Sequence, residues 1–320
     1  MPGFQRRFGR CLFSLPRELR RNAACRLNAE NRGVPAKWRR EGVTDSGVSS
    51  LKADFSPHLC YIIFMCLILL AFDCHPRYRL IIAANRDEYF SRPTASAAFW
   101  DEHPQLLAGR DLKGGGTWLG ITQTGRIAAL TNYRDPGAEK PDAPSRGHLV
   151  SGFLAGAMPA DEYLSFLKRE SPAYNGFSLI FGDPGRLLFH SNRGEGPQFI
   201  RGGIHGLSNH LLDTPWPKVD RGRKALARIV ADEDIIQPDA LFAILADRTV
   251  APDALLPDTG VGIELERLLS PLFTATPIYG TRSSTVVLMD REDRVFFSER
   301  TFNGRPEMVT SVTREFRIAR

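Results

Sequence analysis

The chemistry legible in this chain starts at a methionine followed by a cysteine, Met65-Cys66. Cysteine is small enough for an initiator methionine ahead of it to be removed, so a chain translated from Met65 would begin at Cys66. A cysteine thiol is intrinsically nucleophilic, and the α-amine of a leading residue, with an ordinary pKa of about 8, can take the thiol proton without a separate histidine. The competing reading of Cys66 is a small buried hydrophobe at the start of an inner strand.

Four polar residues, Asn85-Arg86-Asp87-Glu88, follow the apolar run 80–84. They are expected at a strand end. If 66–72 pairs with 80–84 through a turn near His75-Pro76, antiparallel geometry returns this cluster to the Cys66 end. There Arg86 can stabilise a thiolate, and Asp87 can hold or orient the amine. A solvated turn with surface ion pairs is the alternative. Asn132 and Asn209, each expected to end a strand, suit donation to a developing oxyanion or the capping of a turn. Arg282, ahead of an apolar strand, suits a substrate carboxylate or a surface turn. The glycines at 114–116 lack the following helix and Lys-Ser/Thr of a phosphate loop and are expected to be a loop entering a hairpin.

The elements that must position these residues show in the pattern. Alternation and turn signals predict hairpins over 66–72 with 80–84, 117–123 with 126–132, 177–182 with 187–190, and 285–289 with 295–298. Apolar residues at three-to-four spacing predict helices over 147–157, 161–169, 218–231 and 238–246. Strands apolar on both faces need cover on both sides, which predicts an α+β fold with antiparallel sheets at its centre. Residues 65–320 are expected to form a single domain.

The chain has 320 residues, 42% of them hydrophobic, and a formal charge of +6. Residues 1–64 carry 12 Lys and Arg against 5 Asp and Glu, a balance of +7 that leaves −1 for residues 65–320. The body therefore has no electrostatic case for nucleic acid. Residues 1 to about 56 show no sustained period and are expected to be disordered. The whole leading segment, 1–64, reads as a non-native or dispensable extension, an Arg-rich targeting peptide, or a basic tail. The uncharged run 59–72 is too short for an ordinary membrane-spanning helix, so no stable membrane insertion is expected. Five scattered cysteines and seven scattered histidines form neither a disulfide framework nor a zinc spacing, which fits a reducing, cytoplasmic setting without a metal.

The motifs together resemble the NRDE family, the transport and Golgi organisation 2-like proteins, which takes its name from the tetrapeptide 85–88. Met65-Cys66, the block 83–88 with Arg92-Pro93, and the blocks 108–111, 115–120, 129–134, 145–147, 174–177, 206–209 and 281–284 are similar to the family's motifs in the family's order. Residues 1–64 have no counterpart, which makes Met65 the expected start. The resemblance implies a four-layer αββα sandwich related to the N-terminal-nucleophile hydrolases, with Cys66, Arg86, Asp87, Asn132, Asn209 and Arg282 as site residues. Glu88 is the alternative to Asp87. Implied activities are hydrolase or acyltransferase chemistry on a small amide or thioester. The alternative is a non-catalytic carrier of haem, a lipid or acyl-CoA in trafficking or homeostasis, with Cys66 or His75 as ligand. Neither reading requires a resident cofactor.

Overall fold

In the computed structural model, the described residues are 65–304 and 307–319. The expectations for residues 1–64, and the first part of the apolar run 59–72, lie outside them. The remainder of that run is the strand β1 (Cys66–Phe72), paired antiparallel with β2 (Tyr78–Tyr89).

The first sheet has six strands in the order β10-β1-β2-β11-β12-β13, where β10 is Gly203–Leu207, β11 is Tyr279–Asp290, β12 is Arg294–Thr301 and β13 is Thr310–Arg317. The second has seven, in simple sequence order: β3 (Thr94–Trp100), β4 (His103–Asp111), β5 (Leu119–Thr122), β6 (Ile127–Asn132), β7 (Phe177–Asp183), β8 (Arg186–Ser191) and β9 (Gln198–Ile200). The pairings within both sheets are antiparallel, as short hairpin connections require.

Alternation sorts the side chains into layers. Ile68, Leu70, Leu80 and Ile82 of the first sheet meet Ile121, Ile127, Ile180 and Phe189 of the second. The intervening residues Leu67, Leu69, Ile81 and Ala83 face outward onto α3 (Pro217–Asp232) and α4 (Pro238–Leu245), through Val219, Leu226, Leu241 and Phe242. On the far side, α1 (Gly147–Ala155) and α2 (Ala160–Glu170) cover the second sheet, with Phe153 and Tyr163 against Leu179 and Phe181. The result is the expected four-layer αββα sandwich. Each large side chain buried in these layers contributes about 1.5–3 kcal/mol. A short helix, α5 (Ile263–Leu268), lies beyond α4 in the chain.

The four predicted hairpins and four predicted helices are present with shifted ends. The main shift concerns residues 85–88. Expected beyond the end of the strand, they lie inside β2, which continues to Tyr89 between β1 and β11. All four are buried, with Arg86 5% exposed and Asp87 3%, so this is no solvated turn. Among the described residues no helix is long and apolar enough to cross a membrane.

Candidate functional site

The register of β1 and β2 sets Cys66 opposite Arg86. Side chains alternate between the faces of a strand, so Cys66, Arg86 and Glu88 share the face that carries Ile68 and Ala84, toward the second sheet. Met65 and Asp87 take the opposite face, toward the helices. One peptide step thus divides two environments.

On the inner face, Cys66 opens into a cavity of about 650 Å³ whose wall includes Arg86, Glu88, Trp118, Leu130, Asn132 and Arg146. Arg86 is fixed on several sides. Its guanidinium donates to Thr94 Oγ1 at 3.1 Å and to Glu88 Oε2 at 3.2 Å, and it stacks on the Trp118 ring at 4.4 Å. Glu88 also pairs with Arg92 at 3.5 Å, which is itself joined to Asp111 at 2.6 Å. Buried charges of this kind are tolerated because each is paired.

With residue 65 attached, the thiol is not activated. Burial, and after it the charge of Asp87, push Cys66 up to about 12, with Arg86 offsetting only part of the rise. A thiol in that state is protonated at neutral pH and is a poor nucleophile.

On the other face, Met65 is 1% exposed and packs with Leu269 and Tyr279. Its backbone N–H donates to the Tyr279 hydroxyl at 2.7 Å, and its carbonyl accepts from the Asp87 N–H at 2.8 Å. Its thioether accepts from Arg134, whose guanidinium is held by Glu266 at 2.5 Å. Lys218 Nζ is 4.0 Å from the same sulfur. Asp87 accepts from Thr281 Oγ1 at 2.7 Å; burial raises its carboxyl, while Lys218 and Thr281 pull it back.

The remaining expected residues divide. Asn132, at the end of β6, lines the cavity. Asn209 is fully buried and does not line it; its Nδ2 donates to the Asn132 carbonyl at 3.0 Å and its Oδ1 accepts from Ser208 at 3.1 Å, so it holds the end of β6 in place. Arg282 also lies off the cavity wall. Its guanidinium donates to the carbonyls of Tyr89, Phe90 and Arg92, which makes it a clamp on the β2–β3 connection. His75 is at the opposite end of the β1–β2 hairpin, with Nε2 on the Glu233 carbonyl and Nδ1 accepting from the N–H groups of Arg77 and Tyr78. The described residues lining the cavity include no histidine. No cluster of three or more metal-binding side chains occurs among the described residues.

Sequence reasoning assigned no site role to Trp118, Arg92, Asp111, Arg134, Arg146 or Lys218. All but Lys218 fall inside motif blocks or beside the tetrapeptide, which was the available signal. For Lys218 the signal was positional. It occupies the first turn of α3, where the helix dipole disfavours a cation, so a lysine there needs a compensating partner.

The family model for Transport and Golgi organisation 2 matches residues 65–304. The bovine Transport and Golgi organization protein 2 homolog is 38% identical over 275 residues, covering 79% of this chain and 99% of the relative. The human homolog is 38% identical over 257 residues, covering 74% and 93%. Among solved structures, a mutant conjugated bile acid hydrolase from Clostridium perfringens is similar with a TM-score of 0.42 and 10% identity, covering 80% of this chain and 92% of its own. On the sequence matches, the chain belongs to the Transport and Golgi organisation 2 family.

Proposed function

We propose that Cys66, as the first residue of the mature chain, is the nucleophile of an amidohydrolase-like or acyl-transfer reaction on a small amide or thioester. The observation that carries this reading is the placement of Cys66 at the head of an inner strand, opening into a walled cavity beside Arg86 and Asn132. The start of the family match at residue 65 supports the same start for the mature chain.

Removal of residue 65 frees the Cys66 nitrogen. The amine takes the thiol proton, and the thiolate sulfur forms a bond to the substrate carbonyl carbon as the carbonyl π electrons move to oxygen. Asn132 supports that oxyanion, with Asn209 holding the strand end that carries it. Collapse of the adduct breaks the bond to the amine or thiol leaving group, which takes the proton from the ammonium. Water, deprotonated by the amine, then attacks the acyl-cysteine and releases the acid. Trp118, Leu130, Pro141 and Pro144 give the cavity apolar walls suited to an acyl group.

The test is a chain beginning at Cys66, exposed to acyl thioester and acyl amide probes and followed by intact mass. A single acyl adduct in wild type that is absent in Cys66→Ala supports the reading; a folded wild-type chain that never acquires one overturns it.

One observation favours ligand carriage instead: with residue 65 in place, Cys66 has no free amine and its thiol is pushed up to about 12. The same cavity would then hold a haem or lipid-like acyl ligand. A haem titration whose Soret shift disappears in Cys66→Ala, with no acyl adduct in wild type, would establish the carrier.

A further inference from the structure

We propose that Ser208 is a positioning residue that sets the distance between the Cys66 thiol and the Asn132 amide, by joining the head of β1 in the first sheet to the end of β6 in the second. This rests on the reading of Cys66 as the nucleophile and Asn132 as the oxyanion donor.

The two residues belong to different sheets, so no strand register holds one against the other. The connection between β10 and α3 supplies the link. The ladder of β1 with β10 runs as far as Ile68 opposite Leu207, and the next residues, Ser208 and Asn209, bend away from it and reach β6. On the first-sheet side, Ser208 Oγ donates to the Cys66 carbonyl at 2.9 Å. Asn209 Oδ1, at 3.1 Å, is a second acceptor for the same hydroxyl hydrogen and draws the three residues into one cluster. On the second-sheet side, the Ser208 carbonyl accepts from Thr131 Oγ1, Asn209 Nδ2 donates to the Asn132 carbonyl at 3.0 Å, and the Asn209 carbonyl accepts from the Arg134 N–H at 2.8 Å. Thr131, Ser208 and Asn209 are all buried, where hydrogen bonds are strong and costly to leave unmade.

This dipeptide thus grips the backbone of the residue that attacks and of the residue that receives the oxyanion. Asn209 serves the Asn132 end, and the Ser208 hydroxyl reaches Cys66. Acyl transfer is sensitive to the spacing that results. The sulfur must meet the carbonyl carbon while the oxyanion lies within hydrogen-bond range of Asn132, and a misplacement of about 1 Å costs about a hundredfold in rate. Contact of an acyl chain with Trp118 and Leu130 on the cavity wall makes no such demand. Ser208 therefore acts on the rate of acylation and not on the affinity for the acyl group.

The experiment uses the chain beginning at Cys66 and compares wild type with Ser208→Ala, with Ser208→Thr, which keeps the hydroxyl, and with Thr131→Val, which cuts the second-sheet end of the bridge with little change in shape. Each is exposed to an acyl thioester and, separately, to iodoacetamide, whose attack at a saturated carbon forms no oxyanion, and is followed by intact mass. Ser208→Ala and Thr131→Val are expected to slow acylation at saturating thioester at least tenfold, with the half-saturating concentration and the iodoacetamide rate within twofold of wild type. Ser208→Thr is expected to stay near wild type. Unslowed acylation in either the Ala or the Val variant overturns the proposal, as does a slowing that iodoacetamide shares; where Ser208→Ala fails to fold, Thr131→Val decides. Crystal structures of wild type and of the folded variant give the separation of Cys66 and Asn132, expected to change, and an unchanged separation also overturns the proposal. A wild-type chain that never acquires an acyl adduct removes the nucleophile reading, and the separation then decides by itself whether Ser208 positions the two residues.

Discussion

Asn85 is the structural member of the tetrapeptide, absent from the cavity wall that Arg86, Asp87 and Glu88 line. Its Nδ2 donates to the carbonyl of Leu245, the last residue of α4, at 2.9 Å and to that of Leu272 at 2.8 Å, and its Oδ1 accepts from Ser284 at 2.6 Å. Carbonyls at a helix end have no partner within the helix, so this amide caps α4 from inside the sheet. Asn85→Leu should therefore cost about 3 kcal/mol, seen as a lower urea midpoint with an unchanged slope. Cys66→Ala should leave that midpoint close to wild type, which separates a packing role from a chemical one. At this scale the sequence identified residue types well: Cys66, Arg86, Asp87 and Asn132 all lie at or beside the β1 terminus. It erred on the state of residues 85–88, because polar runs are read as strand ends, and only mutual pairing with partners distant in sequence, Thr281 and Ser284 among them, lets a strand carry them inward. Asn209 and Arg282 were similarly legible as residues with polar work to do. Which polar atom they would serve depended on neighbours no local pattern names.

Among the elements, the hairpin β4–β5 shapes the cavity more than any single charged residue. Gly109 on β4 faces the Trp118 ring so closely that an added Cβ would overlap its ring atoms. The ring in turn stacks on Arg86. Gly109→Ala should push Trp118 out of the wall, release one face of Arg86, and change the tryptophan emission of the folded protein. Binding of an acyl probe should weaken at least tenfold, measured by titration, while the far-ultraviolet spectrum stays that of wild type. The strands β3, β4 and β13 carry no clean alternating signal, for identifiable reasons. β3 is rich in alanine, β4 contains Pro104 near its start, and β13 is an edge strand whose exposed charged residues protect it from pairing with another sheet. Long apolar strands such as β1 and β7 and the amphipathic helices were legible because each buries a continuous face.

At the scale of the described residues, two sheets and two helical layers stack, and Glu299 is an acidic residue deep between the sheets. Glu299 on β12 is 1% exposed and accepts from the Ala97 N–H at 2.7 Å, joining the first sheet to the second. Burial raises it to about 7, against the pull of that N–H and of Arg86. Because its pKa in the folded protein lies above the unfolded value, its contribution to stability is complete below about 4.5 and is lost as pH rises through 7, up to about 3 kcal/mol. Glu299→Gln keeps the acceptor oxygen and cannot ionise. It should flatten the dependence of unfolding free energy on pH across that window and exceed wild type in stability at pH 8, as measured by urea titration at several pH values. The layered architecture was legible because strands apolar on both faces demand cover on both sides. Glu299 was not, since an acid next to an arginine in a hairpin looks like any surface pair.

The placement of β1 between two partner strands has a practical consequence. Amino ends usually fray, yet in the proposed chain that begins at Cys66 the first residue pairs with Arg86, and the strand is laddered on both edges from Ile68 onward. In that chain, a purification tag or fluorescent reporter joined ahead of Cys66 would convert its amine into an amide. β13 is an edge strand close to the carboxyl end, so fusions placed after it leave that amine free.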